Sequence, residues 1–315
     1  MRKLFLALFT AAILAPCALA QSQGAPTLRI VSEDGNNLPS ELLYGNTRVK
    51  PLRLRPGTNQ PITIDDADFF VQQQYVDFFS RFPDQPGFQF WLGQIANCNP
   101  KPGCTDGQRT NTSGAFFLSI EFQETGYLVY KTYGAAFGTT RVGGTVPVTF
   151  QEFLPDTRTI GKNVIVNQGD WQGQIEANKV AFFNAFVARS QFTSAYPSSM
   201  SAAQFVDALN ANTGNSLTSA ERDSLVSQLG SGAKTRAQVL RAVAENQTFS
   251  TKEKNRAFVL MQYFGYLRRN PFDSPDSDFQ GYNFWLTKLN NHGGDFHAAE
   301  MVRSFLVSSE YTTRF

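Results

Sequence analysis

Histidine and cysteine are scarce in this 315-residue chain, two and three copies respectively, and that scarcity removes most site chemistries. His292 and His297 lie five apart, so they project from different sides of any helix and make no paired metal site. There is no Gly-x-Ser-x-Gly elbow and no cysteine–histidine arrangement for nucleophilic catalysis. No metal site and no cofactor site is expected. Excess charge is missing as well, with 28 basic residues against 26 acidic ones. Arg2 and Lys3 belong to an expected leader, and without them 26 face 26, so nothing attracts nucleic acid or an anionic membrane surface. Past that leader no window of about eighteen residues is apolar and uncharged, so no transmembrane segment is expected.

The leader is read over residues 1–20. Arg2 and Lys3 precede the apolar run 4–14, and Ala18-Leu19-Ala20 supplies a small-x-small cleavage site before Gln21. Export to the periplasm or the extracellular space follows from that reading. Cys17 follows Pro16, which disfavours lipidation. Cys98 and Cys104 then remain, bracketing Asn99, Pro100, Lys101, Pro102 and Gly103, and a local disulfide is expected in an oxidising compartment.

What the chain has in quantity is aromatic side chains, including 29 phenylalanines, and they recur in order. Phe70, Tyr75, Arg81, Gly87 and Trp91 reappear as Phe258, Tyr263, Arg269, Gly281 and Trp285; Phe116, Ser119, Glu121 and Phe122 reappear as Phe305, Ser308, Glu310 and Tyr311. The offset is 188 at Phe70, 194 at Trp91 and 189 at Phe116. The later copy therefore gains six turn residues over 272–280 and loses five where the first carries its cysteines. Length changes confined to turns are what a stacked helical unit tolerates.

The three- and four-residue spacing of Phe70, Gln74 and Phe78 predicts a helix with one buried face, ended by the turn at Pro83 and Gly87. Weaker echoes fill the middle: Tyr127, Tyr130, Tyr133 and Phe137; Phe182, Phe183, Phe186 and Phe192; then Phe205 and Val206. Ser201 and Thr218 open capping-box patterns, and Asp65, Asp66 and Asp68 are expected to cap the first helix. The fold class expected is mainly α, with about four tandem helical units and a small N-terminal β element. The boundaries are 21–64 for the β-rich segment, 65–138 for the first unit and the start of the second, and 139–195 for a divergent second unit. A third unit spans 196–252 and a fourth 253–315. Ile160 to Val166 reads as loop or short strand inside the second unit. Such repeats stack on their neighbours and build surface.

Phe70-Val71, Tyr75, Asp77-Phe78-Phe79, Arg81, Pro83-Asp84, Gly87 and Phe90-Trp91, followed by Phe117-Leu118-Ser119-Ile120-Glu121-Phe122, resemble the bacterial family called domain of unknown function 4214. That family in turn resembles the helical, non-enzymatic phycobilisome linker domain. The resemblance covers residues 69–137 and 256–315. It implies a helical fold in an exported protein and brings no catalytic residues.

The repeat core is assigned to Tyr75, Arg81, Trp91 and Phe122 with Tyr263, Arg269, Trp285 and Tyr311. Arg81 and Arg269 are expected to fork onto Glu121 and Glu310 within their own units, partly buried. Trp171, among polar turn residues and without a repeat counterpart, is the candidate ligand contact. Asp276-Ser277-Asp278 opens like a calcium loop, but position twelve is Thr287 and not glutamate, so a helix start is the reading preferred. The function expected is a non-catalytic interaction or scaffolding protein of the envelope or extracellular space, with a protein or a surface polysaccharide as partner. The alternative is an envelope carbohydrate-active hydrolase using paired carboxylates, such as Glu121 with Glu124 or Asp77 with Asp84.

Overall fold

The computed structural model of the chain describes residues 53–98 and 103–315 in full, with the backbone alone for three short antiparallel strands, β1 (Leu28–Ser32), β2 (Pro39–Tyr44) and β3 (Thr47–Arg48). The expected leader, Cys17, the turns around those strands and residues 99–102 lie outside the described residues. The protein is mainly helical.

The first block holds α1 (Ala67–Phe79), α2 (Gln85–Ala96), α3 (Cys104–Leu118) and α4 (Ile120–Glu124). Helix α1 buries Phe70, Val71, Gln74, Tyr75 and Phe78 along one face, as the spacing requires. It stops at Ser80, whose left-handed backbone (φ 55°) turns its N–H back onto the Tyr75 and Val76 carbonyls. Asp84 then caps α2 by accepting the Gly87 N–H, and Ser119 caps α4 by accepting that of Phe122. The expected aspartate cap on α1 is corrected. Asp66 occupies the cap position, but its carboxylate takes the Thr63 N–H at 2.7 Å and Arg55 at 2.6 Å and caps nothing, while Asp68, one position inside the helix, accepts the Phe69 N–H at 2.9 Å.

The middle of the chain supplies α5 (Gly126–Phe137), α6 (Phe150–Gly161), α7 (Trp171–Val187), α8 (Ser190–Ala195), α9 (Ala202–Asn212), α10 (Ser219–Gly230) and α11 (Arg236–Ala244). The last block follows with α12 (Gln247–Gln262), a π turn (Tyr263–Leu267), α13 (Gln280–Asn291), α14 (Met301–Leu306) and α15 (Ser309–Thr312). Helix α5 is buried on every side from residue 126 to residue 136 and packs on α4, α6, α9, α11 and α12, which makes it the axle of the core. Ser201 and Thr218 form the capping boxes read from the sequence. Thr149 and Thr235 form two more that were not anticipated. Ile160 and Gly161 still belong to α6, which runs past the Pro155 inside it, and 162–166 are turn and loop, so the segment expected as loop or short strand forms no strand.

Stacking of neighbours in chain order, the expected source of an extended surface, is only part of the packing. The last block also closes onto the first. Phe117 stacks on Phe258 with ring centroids 4.1 Å apart and planes 8° from parallel, and Phe78 meets Tyr266 edge-on at 5.5 Å. Arg314 donates to Asp77 at 2.8 and 3.2 Å and to the Gly265 and Tyr266 carbonyls. Positions 78 and 266 are repeat equivalents, so at this pair the two blocks meet through matching positions. Tyr266, Tyr311 and Phe117 have no measurable exposure there. Each such ring contributes about 1.5–3 kcal/mol of burial, which is reason enough for the ends to close.

Candidate functional site

The residues that repeat in sequence build the same frame twice. In the first block the Arg81 guanidinium forks onto Glu121, Nε to Oε1 and Nη2 to Oε2, both at 2.7 Å, and donates to the Phe82 carbonyl at 3.0 Å. In the last block Arg269 forks onto Glu310 at 2.5 and 3.0 Å and donates to the Asn270 carbonyl at 3.0 Å. Each guanidinium lies over a tyrosine, 4.9 Å from the Tyr75 ring and 5.5 Å from that of Tyr263. Trp91 packs on Phe116 at 5.7 Å and Trp285 on Phe305 at 5.8 Å. Phe122 and Tyr311 are buried at the capped turns that close the two blocks. Gly87 and Gly281 are glycines for one shared reason: a Cβ at either position would run into the hydroxyl of Tyr75 or Tyr263.

Electrostatics follow from this burial. Desolvation, opposed by the Arg81 fork, raises the Glu121 carboxyl above the ordinary carboxylate range. Burial, with the nearby Asp84 charge, pushes the Tyr75 phenol up to about 12.

Around the first frame the surface opens into a cleft of about 410 Å³. Phe79, Pro86, Trp91, Ala115 and Ile120 give it apolar walls; Arg81, Asp84 and Glu121 line its polar side. The loop after α6 lies across it with Val166, Asn167 and Gln168, and the Gln168 amide donates to Asp84 at 3.1 Å. Left-handed Asn163, Asn167 and Gly169 shape that loop.

Trp171 is the first residue of α7, half-buried against the core, and is not among the residues lining this cleft. The acids considered for catalysis each face a cation: Glu121 and Asp84 face Arg81, Asp77 faces Arg314, and Glu124 pairs with Lys179. Asp276 pairs with Arg269 at 2.8 Å. Cys98 and Cys104 are joined, with Cα atoms 5.3 Å apart. Among the described residues no cluster of three or more histidine, cysteine or acidic side chains is placed to hold a metal ion, and no helix is long and apolar enough to cross a membrane.

Sequence reasoning missed two contributors. Asn270, buried in the last block, accepts the Phe150 N–H at 2.7 Å and donates to Gln151 at 3.0 Å, tying α6 to the turn after the π helix; its position 120 residues from Phe150 left no local signal. The 163–169 loop did carry one, two asparagines and a glycine at left-handed positions, but nothing placed it over the first block. No family model, curated protein or solved structure matches this chain.

Proposed function

We propose that this is an exported, non-catalytic interaction or scaffolding protein of the cell envelope or extracellular space, built from about four helical units of the domain of unknown function 4214 type. The observation that carries the reading is the duplicated Arg–Glu–Tyr–Trp frame. The charged residues repeated in both copies are spent on holding helices together, and Glu121, the most buried acid among them, is locked in a two-point fork. Repeats that conserve their frame while varying what surrounds it supply binding surface. The partner is a protein or a surface polysaccharide.

A second reading, a carbohydrate-active hydrolase, draws support from the presence of both Asp84 and Glu121 in the cleft. Against it stands the single guanidinium that both carboxylates share. The test is crosslinking of the tagged protein in its own cells, followed by mass spectrometry for proteins and sugar analysis for glycans. A reproducible, near-stoichiometric partner is the expected result. Recovery of free monomer alone would overturn the proposal.

A further inference from the structure

The two frames provide an internal control. Residues that the fold requires recur at both ends; residues present at one end alone answer to something else. Tyr75, Arg81, Gly87, Trp91, Phe116 and Glu121 all recur. Of the other apolar walls, Phe79 stays apolar as Leu267, but Pro86, Ala115 and Ile120 stand where the last block has Gln280, Ser304 and Ser309. Exposure does not explain the change, because Pro86 and Gln280 are both exposed, Ile120 and Ser309 likewise, and Ala115 and Ser304 are both intermediate. Ile120 leaves 54 % of its surface to solvent where its counterpart is a serine. Phe90 and Phe284, by contrast, are apolar and exposed in both copies, at 57 % and 58 %, and so belong to the shared pattern. The first block has therefore acquired an apolar lining at a place where the frame is satisfied by polar residues.

The chemistry of the cleft selects the occupant. Two carboxylates face one guanidinium, so an anion is repelled. A cation would have to displace Arg81, which already pairs with both carboxylates and lies 4.9 Å from the Tyr75 ring and 5.6 Å from that of Phe79. A wholly apolar group would strip water from Asp84 and from the exposed amides of Asn167 and Gln168 and offer them nothing in return. A neutral sugar ring meets both demands, with C–H groups on its face and hydroxyls at its edge, and the cleft volume lies within the range of small-molecule sites.

We propose that this cleft is a binding site for a neutral saccharide, the ring lying along Trp91, Pro86 and Ile120 and its hydroxyls reaching Asp84, Asn167 and Gln168. The site rests on the interaction role above and names the polysaccharide arm of it.

The test is calorimetric titration of the intact mature chain with neutral tetrasaccharides of glucose and of N-acetylglucosamine, with oligogalacturonate and N-acetylphenylalanine amide for comparison. The variant is Pro86→Gln with Ile120→Ser, which places the last block's own residues on the first block's frame. Saturable binding of a neutral saccharide, weakened about tenfold or more in a variant with unchanged melting temperature, is expected. Failure of every neutral saccharide to saturate, equal affinity in the variant, or tighter binding of the galacturonate or the phenylalanine amide would overturn the site. A protein partner recovered by crosslinking while no saccharide binds sinks this inference and leaves the interaction role standing.

Discussion

Replacing Arg81 by methionine keeps the aliphatic stem over Tyr75 and removes both arms of the fork to Glu121. The carboxylate left behind has a side chain only 8 % exposed, in a site whose guanidinium was 18 % exposed, so water replaces little of what is lost. Removing one partner of a buried pair costs about 3–5 kcal/mol, and the modest exposure of the arginine places this case near the lower end, about 3 kcal/mol. At roughly 2 °C per kcal/mol for a chain of this size, the melting temperature falls by about 6 °C. The loss depends on pH with a definite sign. Burial already raises the Glu121 carboxyl above its unfolded value, and without Arg81 it rises further. A carboxyl raised on folding favours the folded state when protonated, and that stability disappears as pH climbs through the folded-state value. The deficit of Arg81→Met should therefore be smaller at pH 5 than at pH 8. Chemical denaturation at both values, together with the double variant Arg81→Met/Glu121→Leu, reads this out. The double variant should recover most of the loss, because it leaves no unpaired buried charge. A deficit under about 0.5 kcal/mol, or one that is the same at pH 5 and pH 8, would refute the reasoning.

Three further outcomes follow from the same packing. Gly87→Ala, a change that favours an isolated helix by about 1 kcal/mol, should instead lower the melting temperature, and adding Tyr75→Phe should restore it by removing the obstructing hydroxyl; an independent stabilising effect of the alanine would contradict this. Lys131 on α5 is held down to about 8 by burial. A lysine lowered on folding makes stability rise with pH between the folded and unfolded values, so Lys131→Met should gain stability at pH 7 relative to the parent and flatten that rise between pH 8 and about 10.4, as followed by denaturant melts. Replacing Cys98 and Cys104 by serine should cost about 2 kcal/mol from the loss of a short closed loop, with circular dichroism unchanged, because the last block forms the same frame without the loop.

The helices and the frame were legible because their signals are local or duplicated. Phe70, Gln74 and Phe78 announce a buried face by spacing alone. The partnership of Arg81 with Glu121, forty residues apart, could be argued because Arg269 and Glu310 repeat it at almost the same separation. Closure of the ends was not legible: Arg314 reaches Asp77 across 237 residues, and neither residue has a repeat counterpart of the same type. Asp66 misled because its carboxylate has two suitors nearby, the Thr63 amide and Arg55, and both outcompete the helix amides. Trp171 was singled out for polar neighbours in sequence. The residues that reach the cleft lie three to five positions earlier, where the left-handed loop turns them toward the first block.

A single core shared by the two ends requires the last block to close onto the first. Native-state hydrogen exchange on the full chain tests that closure directly, by comparing the amides of α1 with those of α12. If Phe117, Phe258, Phe78 and Tyr266 form one core, the two helices open together, with the same free energy and the same denaturant dependence. Exchange of α12 through an opening that leaves α1 protected, at a free energy lower by about 2 kcal/mol or more, would show two independent bodies and contradict the closed pair.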